Sequence, residues 1–412
     1  MKGRIGKYQI TGQIGQGGMG KIYKGVGPSS NKEIIIKQLK VSAKAVLVKR
    51  FQREADIMSR FSHPNIVKVF ERFSDDGFSY IAMEYIDGIS LEELIKKRTV
   101  LSTPASLLIL YQVCQGLKYA HDRGVIHRDI KPDNILISKR GDVKLCDFGI
   151  AGGQPGKDEP LTNTGVVMGT PAYMSPEQLK SAKYLDIRSD IYSLGVAFYQ
   201  MITGCKPFPS VFSKETVEKI TKGIFPKPEK ENPDIPACFR QIIRKTMNRK
   251  IQKRYQDLGE LIDYLADFLD EFNSRGKINV AIKHYVEGKE IKFSAFTAKT
   301  ASNRERQKTR IKSPALNRGD NGPSGIVFND ETYLFNGKIT VGRAQNNNIV
   351  IRDDCMVSRR HAELSKENGK CFMVDFSVNG TYLNGKRLAK DSKTPVCSGD
   401  IVSLGKSILE IR

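Results

Sequence analysis

The sequence predicts a multidomain protein in which an α+β part comes first and an all-β sandwich comes last. Its 412 residues suffice for two or three domains. In the first part, strand-like runs at residues 21–26 and 33–37 precede a helix that the apolar spacing predicts over residues 43–61. In the last part, residues 326–412, short β-rich runs alternate with turn residues, as in a small sandwich.

The most informative stretch of the first part is the octapeptide H-R-D-I-K-P-D-N at residues 127–134, followed by D-F-G at residues 147–149. A plain alternative is a polar loop among buried strands, since residues 125–126, 135–137 and 143–145 also read as short strands. The two motifs in this order and at this spacing favour a catalytic interpretation over that alternative.

The side chains of these motifs suit phosphoryl transfer from Mg-ATP to a hydroxyl. That reaction needs a carboxylate to accept the hydroxyl proton, oxygen ligands for Mg²⁺ and a cation on the moving phosphate. Asp129 would supply the catalytic carboxylate, and Lys131 the cation. Asn134 and Asp147 would bind the metal.

A glycine-rich stretch near the amino terminus predicts a phosphate-binding hairpin. Residues 15–20 fit G-x-G-x-x-G, a pattern that dinucleotide-binding folds share. Those folds begin a helix at the glycines, whereas residues 21–26 alternate like a strand. Gly15, Gly17 and Gly20 would let backbone N–H groups approach phosphate oxygens.

With these motifs in order, residues 8–270 resemble a eukaryotic-type Ser/Thr protein kinase of the kind also found in bacteria. The resemblance implies a bilobal kinase fold, ATP with Mg²⁺ (or Mn²⁺) as cofactors, and protein Ser/Thr hydroxyls as substrates. Lys131 followed by Pro132 resembles the Ser/Thr-directed loop. Glu177 would pair with Arg254, and Asp190 would brace the catalytic loop.

The resemblance also assigns the nucleotide pocket. Lys37 would hold the α- and β-phosphates and pair with Glu54 on the predicted helix. Ile35 stands where the family usually has a small alanine, and its extra methylenes would narrow the adenine pocket. The other implied residues of the pocket wall and hinge are Ile22, Glu84, Ile86 and Leu136.

The segment between Gly149 and Gly169 has no apolar period and is predicted to be a regulatory loop. Thr162 and Thr164 match positions that bacterial relatives autophosphorylate, so we expect these two residues to be phosphorylated and to activate the enzyme in trans. Kinases of this sort often pair through the N-lobe, and the resemblance therefore leaves a homodimer open.

The carboxy-terminal part resembles a forkhead-associated (FHA) domain, which reads phosphothreonine. Asn-Gly pairs at residues 336–337, 379–380 and 384–385 predict hairpins. The resemblance implies that Arg343 and Ser358 donate to the phosphate and that Asn379 holds the peptide backbone. It makes His361 a structural residue. The alternative is a generic β-sandwich with polar loops. The matching residues are Gly342-Arg343, Ser358-Arg359-Arg360-His361, Asn379-Gly380-Thr381 and Gly399-Asp400.

Composition limits the remaining classes of protein. No apolar run is long enough to span a bilayer, and the chain enters its first strand without a signal-peptide core. The seven cysteines are scattered without a C-x-x-C pair, which indicates neither a metal site nor a disulfide framework. We therefore expect a cytoplasmic protein.

The formal net charge is +22, and a basic connector at residues 271–325 carries much of it. Residues 273–323 contain twelve Lys or Arg against four Asp or Glu. Residues 279–296 look β-like, and residues 298–322 look flexible. Such a run is usually solvated, and without interleaved aromatic residues nucleic-acid binding is not favoured.

Two further hypotheses are compatible with the sequence. One is a pseudokinase scaffold, in which both modules only bind partners. Ile35 is the one feature that favours it. The five polar residues of the predicted site are all present and argue against it: Lys37, Glu54, Asp129, Asn134 and Asp147. A nucleic-acid-associated regulator would depend on the basic connector and would show a steep salt dependence of binding.

Overall fold

A computed structural model describes most of the chain in two compact units. One unit comprises residues 1–262 and 274–291, and the other comprises residues 263–273 and 292–412. The residues that the structure describes are 3–17, 20–28, 32–39, 55–148, 170–180, 185–266, 268–269, 272, 275–291, 325–329, 331–351, 354, 357–367, 369–377, 379–405 and 407–412.

The first unit begins with a six-stranded antiparallel sheet in the order β1-β2-β3-β4-β6-β5. One face of this sheet has its own small core, in which Ile34 and Ile36 of β4 pack with Tyr80 and Ala82 of β6. The period of two along β4 therefore turns Ile35 and Lys37 to the other face. The strands are β1 (Arg4–Ile5), β2 (Tyr8–Gly17), β3 (Gly20–Val26), β4 (Glu33–Leu39), β5 (Val69–Asp75) and β6 (Phe78–Glu84).

The helix predicted over residues 43–61 is described only at its end. Residues 55–59 are helical, and residues 43–54 lie outside the described part of the chain. Ala55 and Met58 of this turn are buried.

A mainly helical region follows. Its central helix α4 is almost entirely buried, starts at the N-cap Asp186, whose side chain accepts from the Arg188 N–H, and ends at Gly204 in the left-handed conformation. The α-helices described in this region are α1 (Leu91–Arg98), α2 (Thr103–His121), α3 (Pro176–Lys180), α4 (Ile187–Thr203), α5 (Lys214–Lys222), α6 (Pro228–Glu231), α7 (Ala237–Thr246), α8 (Leu258–Ala266) and α9 (Arg275–Val286).

A three-stranded sheet, β7 (Gly88–Ser90), β8 (Ile135–Ser138) and β9 (Val143–Leu145), carries the predicted catalytic motifs at its ends. The strands predicted at residues 135–137 and 143–145 are confirmed. The one predicted at residues 125–126 is wrong, because that segment has no strand partner and instead leads directly into the catalytic loop.

The β-like interpretation of residues 279–296 is also wrong for the part that the structure describes. Residues 275–286 form helix α9, and its buried residues Ile278, Ile282 and Tyr285 are spaced four and three apart. This spacing places the three side chains on one helical face. Burial of these three side chains therefore outweighs the local β-propensity of Val280 and its neighbours.

The second unit contains a β-sandwich, as predicted. Its sheets have the orders β11-β10-β20-β19-β16-β17 and β13-β12-β14-β15-β18, and one apolar cluster fills the space between them. The strands are β10 (Gly325–Phe328), β11 (Glu331–Leu334), β12 (Lys338–Gly342), β13 (Ile349–Val350), β14 (Ala362–Glu367), β15 (Lys370–Asp375), β16 (Thr381–Leu383), β17 (Lys386–Arg387), β18 (Thr394–Val396), β19 (Ile401–Leu404) and β20 (Ser407–Ile411).

Only one of the three Asn-Gly pairs closes a hairpin. Asn384 (φ 49°) and Gly385 (φ 79°) join β16 to β17 in the left-handed conformation that a type I′ turn needs. The pairs at residues 336–337 and 379–380 instead join strands of different sheets, so the hairpin prediction is wrong there. An Asn-Gly pair favours positive φ angles, and such angles suit a connection between two sheets as well as a hairpin turn.

Among the helices of the described ranges, none combines the length and the apolar character that crossing a lipid bilayer would require.

The predicted pairing of Glu177 with Arg254 is confirmed and links α3 to the segment before α8. The two guanidinium nitrogens donate to the two carboxylate oxygens at 2.6 and 2.9 Å. The Arg254 side chain is fully buried and also donates to the backbone carbonyls of Asn248 and Arg188. Burial opposes ionisation of Glu177, but Arg254 outweighs it and holds the pKa of the carboxyl below its usual value.

We predict that Glu177→Gln lowers the free energy of unfolding by about 3–5 kcal/mol, because it leaves a buried guanidinium without its carboxylate. Since the folded-state pKa of Glu177 is lowered, its stabilisation is present above the unfolded value of about 4.3 and is lost as the pH falls through the folded value. Urea unfolding at neutral pH and at pH values below about 4.3 measures the loss of unfolding free energy and its dependence on pH. Glu215→Gln, at an exposed helix pair with Lys219, is the matched control, and equal effects of the two substitutions would contradict the prediction.

Candidate functional site

The glycine-rich residues form the predicted hairpin. Strands β2 and β3 pair antiparallel, with Gly15 opposite Ile22 and Gly17 opposite Gly20. No helix starts at the glycines, so the dinucleotide-binding alternative is excluded for these residues. Gly20 has a φ of 155°, in the range that glycine adopts most easily.

Strand β4 places Lys37 and Ile35 on the face opposite the small core. Lys37 lies across from Ile22 and Ile81, and Ile35 lies across from Met83. Ile35 thus adds bulk to the wall on which the sequence predicts adenine. The half-buried Leu136 of β8 and Ile86 after β6 are also described, whereas Glu54 lies outside the described residues.

Lys37 is bonded to the carboxylate that was predicted to bind metal. Its ammonium Nζ donates to Oδ1 of Asp147 at 2.8 Å, and Lys37 is only 8% exposed. Burial opposes ionisation of Asp147, but Lys37 holds the pKa of this carboxyl below its usual value. Asp147 is therefore ionised at neutral pH and can act as a metal ligand.

The side chain of Glu84, a predicted hinge residue, joins the segment before β5 to strand β9. Its Oε2 accepts from the ammonium of Lys144 at 2.9 Å and from the backbone N–H of Lys68 at 3.1 Å. The Glu84 backbone ends β6 next to the pocket wall, where the sequence places the adenine edge.

In the catalytic loop, two predicted residues bond to the carboxylate of a third, Asp129. Lys131 Nζ donates to Oδ2 of Asp129 at 2.9 Å, and Asn134 Nδ2 donates to the same oxygen at 3.0 Å. Asn134 also donates to the Asp129 carbonyl at 2.7 Å. Because the amide nitrogen faces Asp129, the amide oxygen is the atom of Asn134 that suits a metal ion.

Asp190 braces this loop, as predicted. Its carboxylate accepts the backbone N–H groups of His127 and Arg128, both at 2.7 Å, and lies 2.8 Å from His121 Nε2. Burial opposes ionisation of Asp190, but these partners hold its pKa below the usual value. They also stabilise Arg128 at a φ of 67°, a left-handed conformation that an L-residue rarely adopts.

Two supporting residues are not predictable from the sequence. His121 contacts Asp190 from α2, and Gln178 donates through Nε2 to the Arg128 carbonyl at 2.9 Å. A lone histidine at the end of a helix and a glutamine two residues after a proline carry no pattern that reveals these contacts. Thr162 and Thr164 lie outside the described residues.

In the second unit, the backbone brings Arg343 and Ser358 together. The Arg343 N–H donates to the Ser358 carbonyl at 2.9 Å, and both residues are nearly buried, at 9% and 6% exposure. Gly342 permits this contact, since a Cβ there would lie 2.1 Å from the Arg359 carbonyl oxygen. The Arg343 guanidinium lies 4.5 Å from the ring centre of Phe268, which belongs to the same unit.

The loop that carries Asn379 is fixed from both sides. Asp375 accepts from the Ser377 N–H and the Thr381 hydroxyl, and Ser377 Oγ accepts from the Gly380 N–H at 2.7 Å. His361 Nδ1 accepts from the Ser358 N–H at 3.0 Å, and burial lowers the pKa of His361 to about 4. Its buried, neutral ring supports the structural role that the sequence implies.

The donor set of the first unit fits a nucleotide-bound divalent metal. Within the described ranges, no group of three or more His, Cys, Asp or Glu side chains could hold a metal ion by itself. Asn134 and Asp147 offer two oxygen ligands, so phosphate oxygens and water would complete the coordination of a hard cation. Such shared coordination is usual for Mg²⁺ at phosphoryl-transfer sites.

Comparison with known proteins agrees with this geometry. The protein kinase domain model matches residues 8–262, and the FHA domain model matches residues 339–405. A probable serine/threonine-protein kinase of Clostridium perfringens is 36% identical over 62% of this chain and 37% of its own length. A probable serine/threonine-protein kinase of Clostridium acetobutylicum is 30% identical over 81% of this chain and 46% of its own.

Serine/threonine-protein kinase PrkC of Bacillus subtilis is 34% identical over 62% of this chain and 39% of its own length. The chain thus spans less than half the length of these relatives. The kinase match alone covers more than half of the 412 residues. The chain therefore belongs to the protein kinase family and carries an FHA domain after its kinase domain.

Proposed function

We propose that this protein transfers the γ-phosphate of ATP to Ser and Thr hydroxyls of proteins. The observation that supports this most is the joining of Asp129, Lys131 and Asn134 in one hydrogen-bonded cluster. The Lys37–Asp147 pair at 2.8 Å supplies the remaining charges in the same unit. Protein kinases use ATP and a divalent metal, which we propose is Mg²⁺ or Mn²⁺ here.

Each group has a defined task in this proposal. Asp129 orients the substrate hydroxyl and accepts its proton, while Lys131 keeps that carboxylate in place and neutralises charge on the phosphate. Lys37 holds the α- and β-phosphates. Asn134 and Asp147 hold the metal, whose chemistry is to neutralise charge on the phosphate oxygens.

The pseudokinase alternative is not favoured. Scaffolds of that kind commonly lack a metal ligand or the catalytic carboxylate, whereas Asp129, Asn134 and Asp147 are all present here. Asn134 donates to the Asp129 carbonyl, and Asp147 accepts from Lys37. Ile35 was the one feature in favour of a scaffold, and it shares its face with Lys37 without disturbing the Lys37–Asp147 bond.

For the second module we propose phosphothreonine binding through Arg343, Ser358 and Asn379. A phosphate accepts strong hydrogen bonds from a guanidinium and a hydroxyl, and an amide can hold the neighbouring peptide backbone. In this arrangement a kinase domain at residues 8–270 and an FHA domain at residues 326–412 are joined by a basic connector. The ligands would be partner proteins or phosphorylated threonines of this chain, either in the same molecule or in a second copy. The scattered cysteines suit a reducing, cytoplasmic location.

We predict that Asp129→Asn lowers the rate of phosphate transfer from Mg-ATP by roughly 10²–10⁴-fold, because the amide cannot accept the hydroxyl proton. Labelled ATP and a generic protein acceptor would measure this rate. Asp133→Asn is the matched control, since Asp133 is an exposed carboxylate in the short helical turn at residues 132–134, just after Asp129, and should retain the wild-type rate. Equal rates for wild type and Asp129→Asn would refute the proposed role.

We also propose that phosphorylation of Thr162 and Thr164 activates the enzyme in trans, during transient pairing of two copies. A loop phosphate would hydrogen-bond to Arg128, next to Asp129. The double alanine variant should be slower by roughly tenfold, equal to the loss of one charge-assisted hydrogen bond. Peptide phosphorylation measures this effect, and a double alanine variant at Thr297 and Thr300 is the control. Full activity of the Thr162/Thr164 variant would exclude the mechanism.

Arg343→Ala should weaken binding of a phosphothreonine peptide by roughly 10–100-fold, as expected for the loss of charged hydrogen bonds. Suitable probes are peptides that carry Thr162 or Thr164 in phosphorylated and unmodified form, titrated by calorimetry. Arg360→Ala serves as the control, because Arg360 is exposed and pairs with Glu363. Equal affinity for the phosphorylated and unmodified peptides would exclude phosphothreonine recognition by this module. Equal affinity of wild type and Arg343→Ala would exclude it too.

A further inference from the structure

Helix α9 lies outside the kinase family match and yet is part of the kinase unit. The match ends at residue 262, and α9 begins at Arg275, within the predicted connector. Residues 274–291 nevertheless belong to the same compact unit as the catalytic residues. The side chains of Ile278, Ile282 and Tyr285 are buried there.

The backbone of α9 rests on the turn between β8 and β9. Gly141 occupies this turn at a φ of 84°, and a Cβ there would lie 1.9 Å from the Asn279 carbonyl oxygen and 2.8 Å from the Lys283 nitrogen. Only glycine allows such a close approach. The turn and the helix are therefore packed with no space between their backbones.

Asn279 links this turn to helix α2. Its Nδ2 donates to Oδ1 of Asp142 at 2.7 Å, and its Oδ1 accepts from Gln112 Nε2 at 3.0 Å. Both ends of the amide are thus used, one on the hairpin turn and one on α2. The guanidinium of Arg275, one helical turn earlier, lies 3.6 Å from the same Asp142 oxygen.

Gln112 carries the link on to β9. It is 3% exposed, and its Oε1 accepts from Asn65 Nδ2 at 2.6 Å and from the Val143 N–H at 3.3 Å. Asn65 donates to the Val143 carbonyl at 2.8 Å, and its own carbonyl accepts from the Leu145 N–H at 2.9 Å. The first and last residues of β9 are therefore fixed by this buried network.

Tyr285 anchors the other end of α9. Its hydroxyl accepts from the Ser102 N–H at 2.8 Å, and its carbonyl accepts from the Arg98 guanidinium at 2.6 Å. The same guanidinium lies 4.5 Å from the centre of the Tyr285 ring. These contacts of Tyr285 fix α9 independently of the β8–β9 hairpin. Asn279 therefore bonds to the turn from a helix that is already held in place.

The β8–β9 hairpin connects this support to the proposed metal ligands. Asn134 immediately precedes β8, and Asp147 follows β9 after one residue, so both lie at the open end of the hairpin. Across that end, the Cys146 N–H donates to the Asn134 carbonyl at 3.0 Å. Asn279 bonds at the opposite end of the hairpin, in the turn between β8 and β9. A shift of that turn would change the distance between Asn134 and Asp147.

We propose that Asn279 is a positioning residue for the metal-nucleotide site, through which the first helix of the connector sets the β8–β9 hairpin and hence Asn134 and Asp147. This inference rests on the proposed function of that site. It makes the connector a part of the catalytic unit as well as a tether.

The bond between Asn279 and Asp142 can be broken and restored by exchanging their groups. Asn279→Asp places a second carboxylate against Asp142, where the two oxygens repel each other. Asp142→Asn alone keeps an acceptor for Asn279. The double variant, Asn279→Asp with Asp142→Asn, restores one donor and one acceptor across the same contact. Val280→Asp adds a charge to an exposed position of α9 and is the matched control.

The full-length chain should be tested in two assays. In phosphate transfer from labelled ATP across a Mg²⁺ titration, Asn279→Asp should need more Mg²⁺ for half-maximal rate and lose roughly tenfold in rate. The double variant should return to within about twofold of wild type. In thermal unfolding, the stabilisation by Mg-ATP over ATP with EDTA should shrink for Asn279→Asp and recover in the double variant.

A wild-type Mg²⁺ dependence in Asn279→Asp would overturn the inference, and so would a loss that Val280→Asp shares or that the double variant fails to recover. If wild-type protein transfers no more phosphate than Asp129→Asn, the proposed function fails instead. The Mg-ATP effect on unfolding then still decides whether Asn279 positions the site.

Discussion

The catalytic loop depends on one buried carboxylate. Asp190, on the central helix α4, accepts two consecutive backbone N–H groups of the loop and a third bond from His121. A buried charge is tolerated only where such bonds compensate for the lost water. Here they do so while holding Arg128 in a left-handed conformation that the chain would otherwise avoid. The position of Asp129, the next residue, follows from that strain.

Much of the fold was predictable from local patterns. The alternation of β3, the apolar run of β4 and the motifs at Asp129 and Asp147 identified the kinase half, and short β-rich runs identified the sandwich. The failures have a common cause. At residues 125–126, at two of the Asn-Gly pairs and at α9, local preference was overridden by what the segment packs against.

Buried polar networks were the part of the site that no pattern revealed. Asn65, Gln112 and Asn279 come from distant positions, and each looks like an ordinary polar residue in the sequence. Such groups are tolerated inside only because each satisfies the others. Their pairing is a property of the folded backbone, and it becomes visible only when the distances are known.

The direct contact of Lys37 with Asp147 affects how substitutions of either residue must be interpreted. These two groups would bind different parts of the ligand, yet in this structure each neutralises the other, with the Lys37 side chain nearly buried and the Asp147 side chain 37% exposed. Replacing either one strips the other of its counter-ion as well as removing a ligand contact. A defect caused by a single substitution at either position would therefore mix two effects, and only the matching double replacement could separate them.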